Sequence, residues 1–117
     1  MNDYKSLPAW KRGMTLAHAI YAAADEAGLS QTDLGHRLRK TSVQIPSLIG
    51  EAFLDAGGRE AGEALFLAGA RLGELERLLA EGASAGAIPS DERDALRAEI
   101  AILQGELEAL RVPKTTH

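Results

Sequence analysis

The chain contains no cysteine, few aromatic side chains and no long uncharged apolar run. The absence of cysteine excludes disulfide bonds, thiolate nucleophiles and cysteine-ligated zinc. Aromatic residues make up only 4% of the 117 residues, and valine and isoleucine together number eight. Because strands favour aromatic and β-branched side chains, this scarcity argues against a sheet protein. No stretch of about 18 residues is apolar throughout, so we expect no membrane-spanning helix.

The first 14 residues lack the apolar centre of a signal peptide, and we therefore expect a cytoplasmic protein. The net charge is −4, and the acidic excess lies in the second half of the chain. Residues 1–58 carry six basic and six acidic side chains, whereas residues 59–117 carry seven basic and eleven acidic ones. Lysine and arginine supply most of the affinity for phosphate backbones, so an acidic chain is a poor general binder of nucleic acid.

The core must come mainly from 21 alanines and 17 leucines. Both are strong helix formers, which predicts an all-α fold. The length suits a single domain over residues 1–117. Apolar spacing and capping residues predict helices at about 8–27, 30–57, 59–85 and 90–111. Short connections between long helices favour an antiparallel up-and-down four-helix bundle.

Details of the helices follow from the same patterns. Pro8 suits the first turn of helix one, and Gly28 suits its end. Ser30 and Ser90 are the predicted N-caps of helices two and four. The predicted apolar stripes are Trp10, Met14, Ala17, Tyr21 and Ala24; Leu34, Leu38, Ile45, Ile49 and Phe53; Leu65, Ala68, Leu72, Leu75 and Leu79; and Leu96, Ile100, Leu103, Leu107 and Leu110.

Glycines also mark a strip on helix three, at Gly62, Gly69 and Gly73. Each helical glycine costs about 1 kcal/mol relative to alanine. Three of them on one side predict that another backbone packs closely there. Arg71, Glu74 and Glu76 interrupt the stretch, which argues against a membrane GxxxG motif.

Pro46 falls inside the predicted second helix, where a proline costs about 3 kcal/mol. The surrounding segment, LRKTSVQIPSLIGEAF, resembles the helix-two signature of the four-helix-bundle family of 23S rRNA intervening-sequence proteins, which is close to L-R-R-A-A-x-S-I-P-x-N-I-A-E-G. The matching residues are Leu38, Arg39, Ile45, Pro46, Ile49 and Glu51, with Lys40 as a conservative replacement. The proline recurs within helix two of that family, which implies a proline-kinked second helix here.

The resemblance extends to Leu7, Trp10 and Tyr21, to the Leu72–Glu76 segment and to the GAIPSDERDALRAEI linker. The chain departs from the family at Gln44 and Leu48, where relatives carry serine and asparagine. The resemblance implies a homo-oligomer, and a homopentameric ring is a known arrangement in that family. Related accessory variability proteins of diversity-generating retroelements bind reverse transcriptase and nucleic acid, which implies RNA or a reverse transcriptase-like protein as further partners.

Self-association also agrees with the apolar residues themselves. One narrow helical face cannot bury Phe53, Leu54, Phe66 and Leu67, and exposed apolar patches usually mark interfaces.

Two groups of basic residues are candidates for nucleic-acid binding. They are Lys5, Lys11 and Arg12 near the start of helix one, and Arg37, Arg39 and Lys40, beside His36, on helix two. If the two helices are neighbours, these groups could join into one RNA-binding patch; the alternative is that they are ordinary solvated positions. Glu51, expected near the inner side of helix two, is either a ligand or general base, or a partner of Arg37, Arg39 or a neighbouring subunit.

No motif points to an enzyme, a cofactor or a metal ion. His18 and His36 lie on different helices without HExxH spacing, and neither a phosphate-binding glycine loop nor a GxSxG motif occurs. The sequence therefore predicts a non-enzymatic oligomeric scaffold or adaptor. The alternative is an RNA- or nucleoprotein-associated accessory protein that binds through the local basic patch.

Overall fold

A computed structural model describes residues 3–54 and 59–111, which form four α-helices after a short 3₁₀ turn at Tyr4–Ser6. The helices are α1 (Pro8–Glu26), α2 (Asp33–Leu54), α3 (Arg59–Ser84) and α4 (Ser90–Arg111). The all-α prediction is confirmed. The predicted end of the second helix, at residue 57, lies outside the described residues.

The helices enclose one apolar core. α1 packs against α2 and α4, and α3 packs against the same two helices. This arrangement confirms the four-helix bundle, whereas antiparallel order and a bend at Pro46 stay predictions. The largest fully buried side chains are Ile20, Leu38, Ile45, Ile49, Leu72, Leu75, Leu78, Leu79, Ile88, Ile100, Leu103 and Leu107.

The apolar stripes of α3 and α4 are confirmed, except at the last residue of the α4 stripe. All five predicted residues of α3 are buried, as are the first four of α4. Leu110 is 47% exposed, because it lies in the last turn of α4, beyond the buried Leu107.

On α1 the predicted stripe is partly wrong. Tyr21 is 44% exposed, and Trp10 and Met14 are only half-buried. The buried face consists of smaller residues at helical spacing: Ala9, Gly13, Leu16, Ala17, Ile20, Ala23 and Ala24. Small side chains let α2 come close, since a Cβ built on Gly13 would lie 3.5 Å from Ile49 Cδ1. The larger residues therefore flank the contact between α1 and α2.

The turn between α1 and α2 differs from the prediction at the point where it leads into α2. Gly28 ends α1 as predicted, with φ 73°, and the Leu29 amide donates to the Ala24 carbonyl at 2.9 Å. Ser30 is not the N-cap of α2. Thr32 Oγ1 accepts from the Gly35 amide at 3.0 Å, whereas the Ser30 hydroxyl donates to Asp25 at 3.0 Å. The turn thus uses two more residues than predicted before the helix starts.

The turn between α3 and α4 is anchored in the core by Ile88, which is only 2% exposed. Gly86 has φ 81°, a conformation that favours glycine, and it lets the chain fold back over the last turn of α3. The Ile88 amide donates to the Gly82 carbonyl at 3.2 Å, and a Cβ on Gly82 would lie 2.6 Å from Ile88 Cδ1.

The glycine strip of α3 does not pack as predicted. A Cβ built on Gly62, Gly69 or Gly73 would meet nothing within 4 Å. The prediction of close packing within the described chain is therefore wrong: Gly69 and Gly73 line open grooves between α3 and α4, where no neighbouring atom comes close to them.

Candidate functional site

Three of the residues that carry the family resemblance, Ile45, Pro46 and Ile49, lie at the contact of α2 with α1. Ile45 and Ile49 are fully buried, Pro46 is buried, and α2 remains helical through the proline. A Cβ on Gly13 of α1 would lie 3.7 Å from Pro46 Cα, so the two backbones pass close to each other. This contact accounts for these three residues as packing residues.

Glu51 is exposed, so the expectation that it lies near the inner side of helix two is wrong. The reason is helical geometry: Ile49 and Ala52 face the core, and position 51 points away from it. Arg37, a predicted partner, instead pairs with Asp33 at 3.5 Å. Arg39, the other predicted partner of Glu51, donates to the Ser30 carbonyl at 2.9 Å.

The basic residues near the start of α1 do not behave as one group. Arg12 reaches α4, where its Nε lies 3.0 Å from Glu106 and its Nη1 lies 3.4 Å from Glu99. These ion pairs offset its charge. Lys5 and Lys11 are exposed.

The structure separates Lys5 from the predicted basic group of α2. The Tyr4 ring packs on Gly50, where a Cβ would lie 3.3 Å from it, so the start of the chain lies beside the end of α2. Lys40 precedes Gly50 by ten residues, about 15 Å along a helix. Arg37, Arg39 and Lys40 therefore lie well away from Lys5.

Arg37 and Lys40 instead share a cavity with residues of α3. This cavity, the α2/α3 groove, has a volume of about 570 Å³. Arg71 of α3 contributes a third cation, and its Nη1 lies 2.6 Å from Glu74. The lining residues are Arg37, Lys40, Thr41, Gln44, Ser47, Leu48, Leu67, Arg71 and Glu74. Sequence reasoning missed Arg71 as a site residue because it is 31 positions from Lys40, on another helix.

A second cavity of about 590 Å³ lies along Gly62, Glu63, Phe66, Leu67 and Arg111, on the outer side of α3. Phe66 is 59% exposed and Leu67 42% exposed. The Arg111 guanidinium lies 5.3 Å from the centre of the Phe66 ring, a cation–π contact. We call Phe66 and Leu67 the α3 patch. The expected exposure of these residues and of Leu54, which is 74% exposed, is confirmed, whereas Phe53 is half-buried.

A third cavity, the α1/α2 groove, is almost entirely apolar. Its volume is about 570 Å³, and Trp10, Met14, Ala17, His18, Tyr21, Val43, Pro46 and Ser47 line it. Tyr21 and Val43 are each more than 40% exposed. The sequence predicted Tyr21 as part of the apolar stripe of α1, but the structure places it at this surface.

Within residues 3–54 and 59–111, no group of three or more histidine, aspartate or glutamate side chains is arranged to hold a metal ion. None of the described helices is long and apolar enough to cross a bilayer. No protein-family model matches the chain, and no curated protein matches it.

Proposed function

We propose that the chain is a non-enzymatic scaffold or adaptor that acts as a homo-oligomer, and that its copies join into a closed ring. The observation that carries the proposal is the pair of separate apolar surfaces, the α3 patch and the α1/α2 groove. Monomeric proteins rarely leave large contiguous apolar surface in water. The resemblance of the helix-two segment to a family of ring-forming bundles supports the same proposal.

A closed ring needs two different surfaces on each copy, because each copy contacts its neighbours through unlike faces. Phe66 of the α3 patch is a large projecting ring. The α1/α2 groove is concave and mainly apolar, with a volume of about 570 Å³. These two surfaces are therefore suited to meet across a copy-to-copy contact.

The test is the mass of the protein in solution, measured by light scattering after size exclusion. We expect a multiple of the 12.4 kDa chain for the unaltered protein. Phe66→Asp and Val43→Asp should each shift the mass toward one chain, because a ring loses its contacts when either face carries a buried charge. Ala80→Asp, an exposed site on the same helix as Phe66, should leave the mass unchanged.

Circular dichroism should show unchanged helix content in all three variants, since none of the substituted residues is buried. A symmetric dimer built on one surface would instead respond to only one of the two variants. A single chain at every concentration would refute the proposal.

A further inference from the structure

We propose that the α2/α3 groove binds a small phosphate monoester with an apolar group, its phosphoryl oxygens held by Arg37, Lys40 and Thr41. The proposal does not rest on the assembly proposed above. The groove shares Leu67 with the α3 patch and Ser47 with the α1/α2 groove, but Arg37, Lys40 and Thr41 belong to neither ring surface. It brings together cations from two helices, a buried hydroxyl and an apolar wall.

The charge in the groove is opposite to that of the whole chain. Arg37, Lys40 and Arg71 carry three positive charges there, against the one carboxylate of Glu74, which is bonded to Arg71. Asp33 pairs with Arg37 from outside the groove, but its carboxylate is 87% exposed, so water screens that pair strongly. A local excess of positive charge on a chain of net charge −4 favours an anion at this place.

The second observation is that Thr41 is buried and its hydroxyl has no hydrogen-bond partner among the described residues. Thr41 is 5% exposed and lines the groove. Buried polar groups are normally hydrogen-bonded, so an unpartnered threonine that lines the same groove as Arg37 and Lys40 points to a ligand that accepts hydrogen bonds.

The remaining lining residues define the class of ligand. Gln44 and Ser47 add further donors, and Leu48 and Leu67 add an apolar wall. A phosphate monoester carries about −1.5 to −2 charge at neutral pH and offers three acceptor oxygens, which suits several donors better than a carboxylate does. The apolar wall suits an organic group attached to the phosphate.

The experiment is a titration of the ¹⁵N-labelled full-length chain with phenyl phosphate, followed by amide chemical shifts. We expect saturable shifts at Lys40, Thr41 and Arg71. Inorganic phosphate should bind at the same residues more weakly, because it lacks the apolar group. Phenol should produce no saturable shift, because it lacks the anion. Phenyl phosphate that produces no saturable shift would overturn the proposal.

Two lysines provide a matched pair of variants, since Lys40 and Lys11 are both exposed on helices and only Lys40 lines the groove. Lys40→Gln should weaken phenyl phosphate binding about fivefold. Lys11→Gln should leave the affinity unchanged. Equal weakening in both variants would show general attraction to a charged surface and overturn the site.

Thr41→Val keeps the shape of the side chain and removes the hydroxyl, so it should weaken binding while the far-UV spectrum stays that of the unaltered protein. Unchanged affinity in this variant would remove the hydroxyl from the site.

Nucleic acid is the other source of phosphate groups. If a single-stranded oligonucleotide shifts the groove amides and phenyl phosphate does not, the small-ligand proposal is wrong and the cations serve nucleic acid.

Discussion

Gly35 and Gly82 lie directly under neighbouring parts of the chain, whereas Gly62, Gly69 and Gly73 face open space. A Cβ on Gly35 would overlap the carbonyl group of Leu29, and one on Gly82 would lie 2.6 Å from Ile88. A Cβ on any of the other three would meet nothing within 4 Å. The closed positions lie next to turns, where the chain folds back over its own helix. The open positions lie along the middle and first part of α3, with no atom close to them.

This difference separates two reasons for a helical glycine. At a closed position there is no room for a side chain, and alanine would displace a neighbour. At an open position the protomer gains nothing from glycine and loses helix propensity of about 1 kcal/mol. The comparison can be tested by substituting glycines of both kinds with alanine.

The largest effect is expected for Gly35→Ala. The new methyl group would overlap backbone atoms of Leu29, which cannot move aside as the end of a side chain can. We expect a loss of about 3 kcal/mol in the free energy of unfolding, measured by urea denaturation. Stability equal to that of the unaltered chain would show that the turn before α2 is not packed on the helix.

A smaller loss is expected for Gly82→Ala, about 1 kcal/mol, because the methyl group meets the flexible end of Ile88. The added Ile88→Val substitution removes the clashing Cδ1 atom. In a double-mutant cycle, Ile88→Val should therefore cost less in the Gly82→Ala background than alone. Additive losses would show that these two positions do not touch.

The smallest effect, and one of opposite sign, is expected at an open position. Gly73→Ala should raise the free energy of unfolding by about 0.5–1 kcal/mol through helix propensity alone. Gly105→Ala on α4, which is equally open, provides the matched control. A loss of assembly in Gly73→Ala but not in Gly105→Ala would show that another copy packs closely on the glycine strip.

The helices and most of the core could be predicted from apolar spacing. The leucine stripes of α3 and α4 are regular, and large apolar side chains on one face of a helix are buried by packing that face against the core. The prediction for α1 failed where its inner face is built from alanine and Gly13, while Trp10 and Tyr21 flank the contact. Ile88 was missed because a residue in a turn carries no periodic signal.

The candidate site could be predicted only in part. Arg37 and Lys40 are visible as neighbouring cations in the sequence, and the structure places both in one groove. Arg71 joins them from α3, and Arg12 is instead paired with Glu106, 94 positions away. Such pairings depend on which helix faces are neighbours, and this is information that local sequence does not carry.

Trp10 is the only tryptophan of the chain, and it lines the α1/α2 groove with its ring 5.6 Å from the centre of Tyr4. The unmodified protein thus carries a built-in fluorophore at one of the two surfaces proposed for the ring. Its emission should shift to shorter wavelength when copies associate through that groove, and dilution should reverse the shift without any dye or label.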